Sequence, residues 1–142
     1  MRAMRTERPT VLVVDNVAEI VEELLTLMAL HKIPATGAYD LDGALDVLKR
    51  EPDVRAISCD VRLDRESGLD IIPRVAECPA LHTRRFRYLF VTGDQMQLDA
   101  LIGSGDLAVL SKPVQPRVLI ETLQQMLLSG DAAQPAPVGR ST

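Results

Sequence analysis

Four apolar stretches of this 142-residue chain each run into a polar group able to do chemistry. TVLVV (Thr10–Val14) is followed by Asp15 and Asn16, and Val54–Cys59 by Asp60. RYLFV (Arg87–Val91) is followed by Thr92, and LAVL (Leu107–Leu110) by Ser111 and Lys112. Taken singly, an acid after a strand is most often a turn residue or a helix cap. Thr before Gly93 and Lys before Pro113 are equally ordinary in loops. Side by side at one sheet edge, the four are a different object. Neighbouring strands lie ~4.8 Å apart, which sets Asp15 and Asp60 across one crevice. Two close carboxylates repel, and a divalent cation such as Mg²⁺, which takes oxygen ligands, relieves that repulsion. A hydroxyl (Thr92) and an ammonium (Lys112) opposite them suit the remaining oxygens of a phosphoryl group. The set fits phosphoryl transfer onto a carboxylate nucleophile.

The elements that must position these groups alternate along the chain. Each apolar stretch is continuous rather than alternating, as expected of strands buried on both faces of a parallel sheet. Ala35–Tyr39 reads as a further, weaker strand. Between the strands, Val17, Ile20, Val21, Leu24, Leu25 and Met28 fall three and four apart on one helical face. Asp40 stands as N-cap to a helix carrying Leu41, Ala44, Leu45 and Leu48. Leu69, Ile72 and Val75 mark a third helix that Pro73 should shorten or kink. A weak helix is expected over about Gln95–Ile102, and a last one from near Pro116 through Leu119, Leu123, Met126 and Leu127. Five strand–helix units predict an α/β fold, a flavodoxin-like (βα)5 sandwich with a five-stranded parallel sheet in order 2-1-3-4-5. In that order the crevice outside strands one and three is the expected ligand site.

Composition narrows the function. The formal net charge of −4 argues against nucleic acid as a partner, which needs a basic surface. Aromatic residues are 3% of the chain and Trp is absent, so base-stacking platforms are not expected. No apolar run approaches the ~18 residues of a membrane span, and no signal-peptide pattern opens the chain, so a cytoplasmic location is expected. Cys59 and Cys78 make neither a disulfide framework nor a zinc site, and Cys59 reads as a small core residue. Residues 1–8 and 129–142 read as flexible tails around one domain spanning 9–128. Arg84, Arg85 and Arg87 form a basic cluster, either a solvated loop or a docking site for an acidic partner. Glu66 reads as solvated.

The motifs VLVVDN (Val11–Asn16), CD with Gly68 eight residues beyond Asp60, VTG (Val91–Gly93) and LSKP (Leu110–Pro113) occur in a telling order. Over about Pro9–Leu128 the chain resembles the receiver domain of two-component response regulators. The resemblance implies that Asp60 accepts a phosphoryl group from a sensor histidine kinase or a histidine phosphotransfer protein. It implies Mg²⁺ as cofactor, held by Asp15, Asn16, Asp60 and the backbone carbonyl of Arg62. Thr92 matches the hydroxyl residue that moves toward the phosphoryl oxygen, Lys112 matches the family lysine, and Lys112–Pro113 would be a cis peptide. Gly93 matches a small residue that leaves the acceptor accessible. Such a protein catalyses its own phosphotransfer and dephosphorylation and is not otherwise an enzyme.

Three positions depart from the family pattern. Asn16 stands where a second acid is usual, which predicts weaker Mg²⁺ binding and slower phosphorylation. Asp64 replaces a proline, and it either loosens that loop or supplies a charge that Asn16 withholds. Val109 replaces an aromatic switch residue, so the usual Thr-to-aromatic coupling is expected to differ. The leading expectation is a single-domain receiver acting through a downstream protein partner or a phosphorelay, as a monomer or weak homodimer. The alternative is a pseudo-receiver, an interaction module that works without phosphorylation. A phosphatase of the haloacid-dehalogenase type would need a second Asp where Arg62 stands, and no P-loop or Ser-His-Asp arrangement is present.

Overall fold

The computed structural model describes residues 8–93 and 107–132. In chain order, β1 (Val11–Val14), α1 (Ala18–Leu30), β2 (Ala35–Ala38), α2 (Leu41–Arg50) and β3 (Ala56–Asp60) build the first half. Two short strands follow, β4 (Arg62–Leu63) and β5 (Glu66–Ser67), then a 3-10 turn (Gly68–Asp70) and α3 (Ile71–Ala76). β6 (Arg87–Thr92), β7 (Leu107–Ser111) and α4 (Pro116–Ala132) complete the described elements. Five strands form one parallel sheet in the order β2-β1-β3-β6-β7, which is the expected 2-1-3-4-5 arrangement of the flavodoxin-like α/β sandwich. The helix expected over Gln95–Ile102 lies outside the described residues. The last helix starts at Pro116 and runs to Ala132, past the expected boundary at Leu128.

The unbroken apolar character of β1 follows from its place at the centre of two layers. All four of its residues are buried. Leu12 and Val14 join Ile57, Cys59 and Phe90 against α2 and α3 on one face. Val11 and Val13 join Ala56, Leu89, Met28 of α1 and Leu119 and Leu123 of α4 on the other. Successive strand side chains point to opposite faces, so a strand with helices on both sides has no position left for a polar residue. Cys59 lies in the first of these layers as a free, buried thiol, and burial together with the neighbouring Asp60 charge pushes its ionisation upward.

Local chemistry sets the helix ends. The Asp40 carboxylate accepts the N–H of Gly43 at 2.7 Å, capping α2 as its position predicts. Pro73 falls in the first turn of α3, where its missing N–H has no helical partner to lose, and the helix is six residues long. At the other end of α2 the structure corrects a sequence expectation. Arg84 is neither solvated nor free for docking. Its guanidinium donates to the carbonyls of Leu48 (2.5 Å), Glu51 (3.1 Å), Pro52 (3.3 Å) and Val54 (3.0 Å) and lies over the Phe86 ring. Carbonyls at a helix C-terminus have no intrahelical donor, and a planar cation with five N–H groups can serve several of them at once.

Candidate functional site

The carboxyl ends of β1, β3, β6 and β7 deliver the groups that the sequence singles out. Asp15 follows β1, and its backbone N–H bonds to the Ala38 carbonyl of β2 at 3.2 Å. Its Oδ1 accepts the N–H of Val17 at 2.9 Å, so the side chain opens α1 as it faces the site. Asp60 is the last residue of β3. Its Oδ2 accepts from Lys112 Nζ at 3.0 Å, and its Oδ1 accepts the N–H of Arg62 at 3.2 Å. Thr92 ends β6, with its carbonyl taking the N–H of Lys112 at 2.9 Å. Asp15, Asp60 and Thr92 are 6%, 9% and 4% exposed. Lys112–Pro113 is a cis peptide.

The electrostatics are those of crowded acids. Burial raises the pKa of Asp15 most; the adjacent Asp60 raises it further, whereas the Val17 N–H and the Lys112 charge lower it. Lys112 neutralises only one of two buried carboxylates, which leaves a net negative pair of oxygen donors. A hard divalent cation is the group that such a pair suits. Asp15 and Asp60 fit that role, and the Arg62 N–H lies on the Asp60 carboxylate. Asn16 is exposed and lines a cavity of about 320 Å³ that shares Asp64, Arg65 and Glu66 with the larger cavity at Asp60.

That second cavity, of about 610 Å³, is lined by Asp60, Arg62, Asp64, Thr92, Gly93 and Lys112 among others. The Asp60 carboxylate opens onto it. A Cβ at Gly93 would meet nothing within 4 Å, so glycine here leaves the approach open without being required by packing. Gly68 is the opposite case. A Cβ there would collide with the Asp60 carbonyl and stand 2.8 Å from Cys59 Sγ, so only glycine lets the chain return past Asp60.

The loop after Asp60 carries structure that the sequence did not announce. β4 and β5 form a two-rung antiparallel pair, Arg62 opposite Ser67 and Leu63 opposite Glu66. Asp64, at the turn, has φ 49°, a left-handed conformation that Asp tolerates better than most residues. Glu66 is half-buried, not solvated, and its Oε2 accepts the N–H of Leu41 at 2.9 Å. No local signal could have revealed this contact, because the partner is a backbone group on an element laid down earlier in the chain. Val109 is half-buried on β7, in register with Phe90.

No family model and no curated protein sequence matches the chain. Solved structures do. A signal receiver domain of an HD domain-containing protein from Pseudomonas fluorescens Pf-5 superposes with TM-score 0.72 at 24% identity, covering 89% of this chain and 99% of that one. A CheY-like response regulator receiver domain protein from Methanospirillum hungatei JF-1 gives TM-score 0.72 at 19% identity, over 89% and 98%. The signal receiver domain of a putative Luxo repressor protein from Vibrio parahaemolyticus gives 0.73 at 18% identity, over 92% and 100%. The chain has the fold of the response regulator receiver domains.

Proposed function

We propose that the chain is a phosphorylatable receiver, with a domain spanning residues 9–128, that takes a phosphoryl group on Asp60 from a phosphohistidine. The observation that carries this reading is the Lys112–Asp60 ion pair set beside the buried Asp15 at one end of the sheet. An oxygen of Asp60 attacks phosphorus in line with the donor nitrogen. The O–P bond forms as the N–P bond breaks, and the electron pair leaves on the donor imidazole. Charge grows on the phosphoryl oxygens during transfer, and Lys112 supplies a cation to them, as does Thr92 a hydroxyl. Asp15, Asn16, Asp60 and the Arg62 carbonyl would hold Mg²⁺, which would supply the remaining positive charge. Hydrolysis of the acyl phosphate by water resets the protein, so both steps are catalysed on the same residues.

The donor is a sensor histidine kinase or a histidine phosphotransfer protein, and the output is a contact with a downstream protein or onward transfer in a relay. The chain works in the cytoplasm, as a monomer or weak homodimer, without nucleic acid or membrane. Among the described residues no helix is long and apolar enough to cross a membrane. Incubation with acetyl phosphate and Mg²⁺, followed by intact-mass measurement, tests the reading. One phosphoryl group added to wild type and none to Asp60→Ala is the expected result. No gain on wild type, or an equal gain on the variant, would overturn it.

A further inference from the structure

We infer that Glu66 is a positioning residue: by accepting the N–H of Leu41 it holds the β4–β5 hairpin so that the Arg62 backbone stays against the Asp60 carboxylate. The role of Arg62 toward Mg²⁺ in this inference rests on the proposed phosphoacceptor reading.

A two-rung antiparallel pair is marginal by itself, and this one turns through a non-glycine residue with positive φ. It therefore needs anchors. At its base the N–H of Val61 bonds to the Val91 carbonyl at 2.9 Å, and that of Gly68 to the Val61 carbonyl at 2.6 Å. Leu63, fully buried in the core, fixes β4. Glu66 sits directly opposite Leu63, and its carboxylate fixes β5 to α2. Strand β4 begins with Arg62, whose N–H lies on Asp60 Oδ1 at 3.2 Å. The tie thus runs from the first turn of α2 through two rungs to the acceptor.

The electrostatics of the α2 N-terminus favour this tie. Three acids gather there, and each has its own partner. Asp40 takes the Gly43 N–H, Glu66 takes the Leu41 N–H, and Asp42 pairs with Arg74 of α3 at 2.5 Å. Negative charge is stabilised at a helix N-terminus by the free N–H groups and the helix dipole, so Glu66 meets a fixed positive field rather than a bare surface. The contact accounts for an acid six residues beyond the last acid needed for the chemistry itself. An amide oxygen accepts the same hydrogen bond, so Glu66→Gln should preserve the tie and Glu66→Ala should cut it.

The test uses the full chain and two readouts. Amide hydrogen exchange on the metal-free protein follows the N–H groups of Leu41 and Arg62. Mg²⁺ titration monitored by NMR gives affinity. Glu66→Ala is expected to speed exchange at both amides by about tenfold and to weaken Mg²⁺ by a similar factor, the loss of one charge-assisted hydrogen bond. Glu66→Gln should recover most of both effects. Asp40→Ala is the control: it removes the other cap of α2, so Leu41 should respond and Arg62 should not. Faster exchange at Leu41 with Arg62 unchanged in Glu66→Ala would overturn the inference, leaving Glu66 as a helix cap alone. Unchanged exchange at both amides would overturn it as well. Absence of a saturable Mg²⁺ site in wild type would sink the phosphoacceptor reading, and the exchange measurements would still decide the role of Glu66.

Discussion

The guanidinium of Arg84 stands 2.5 Å from the carbonyl oxygen of Leu48, at the C-terminal turn of α2. One side chain thereby gathers four carbonyls from the end of α2 and the segment leading into β3. Burial lowers its pKa from the ordinary arginine value, but far too little to discharge it near neutrality. Arg84→Ala strands partly buried carbonyls and is expected to cost about 2 kcal/mol in chemical denaturation. Arg84→Lys should recover less than half, because an ammonium cannot fork across several acceptors. A loss below 0.5 kcal/mol, the scale of an ordinary surface change, would show that the cluster is not a structural clamp.

Asp15 makes stability depend on pH. Its folded-state pKa lies above the ordinary value of 3.8, chiefly through burial and then through Asp60. The protonated form is therefore favoured by folding, and stability is lost as pH rises from that value through the folded pKa. Asp15→Asn keeps an oxygen for the Val17 N–H and removes the charge. It is expected to stabilise the metal-free protein at pH 7 by on the order of 1 kcal/mol, with the difference vanishing toward pH 3.8. Urea denaturation across pH 3.5–7.5 checks the sign, and the same variant should weaken Mg²⁺ binding.

Ser58 is 3% exposed, and among the described residues its hydroxyl has no hydrogen-bond partner. It lines an otherwise mostly apolar cavity of about 490 Å³ with Val13, Leu24, Val91 and Leu119, beside Asp60 and Lys112. A hydroxyl left unpaired in apolar surroundings costs stability, and valine fills more of the space. Ser58→Val is expected to raise stability by about 1 kcal/mol, read as a higher melting temperature. A fall instead would mean that the hydroxyl is satisfied in solution.

Gly68 and Gly93 should respond oppositely to alanine. Gly68→Ala forces a methyl group into the Asp60 carbonyl and Cys59 Sγ, with an expected loss of about 3 kcal/mol and a displaced acceptor. Gly93→Ala enters open space and should leave stability within about 0.5 kcal/mol. Thermal melts of the two variants side by side decide the contrast.

The sequence made the long strands and the larger helices readable, because burial on both sheet faces leaves an unbroken apolar run and burial on one helix face leaves a three-and-four spacing. It also placed Asp15, Asp60, Thr92 and Lys112 at one edge, since each directly follows such a run. What it hid depends on partners remote in the chain. The β4–β5 pair has two residues per strand, too few for any periodicity. Arg84 and Glu66 look like surface charges because their acceptors and donors are backbone atoms of α2 and the segment just after it, 25 residues or more away. Asn16 follows Asp15 directly, yet it is exposed and lines an adjoining cavity rather than lying beside Asp60.

Every ladder in the main sheet is parallel, and Val11 of the interior strand β1 pairs with both Ala35 and Ala56. Parallel neighbours cannot be closed by a tight hairpin, so each waits for an entire crossover to be synthesised and collapsed. The trio β2, β1 and β3, with α1 and α2 packed on it, nevertheless lies wholly within the first sixty residues. On a ribosome that trio can emerge and associate before β6 exists to cover the far side of β3. Asp60 would then sit on a temporary outer strand during synthesis, and β6 would be the element whose arrival seals it into the sheet.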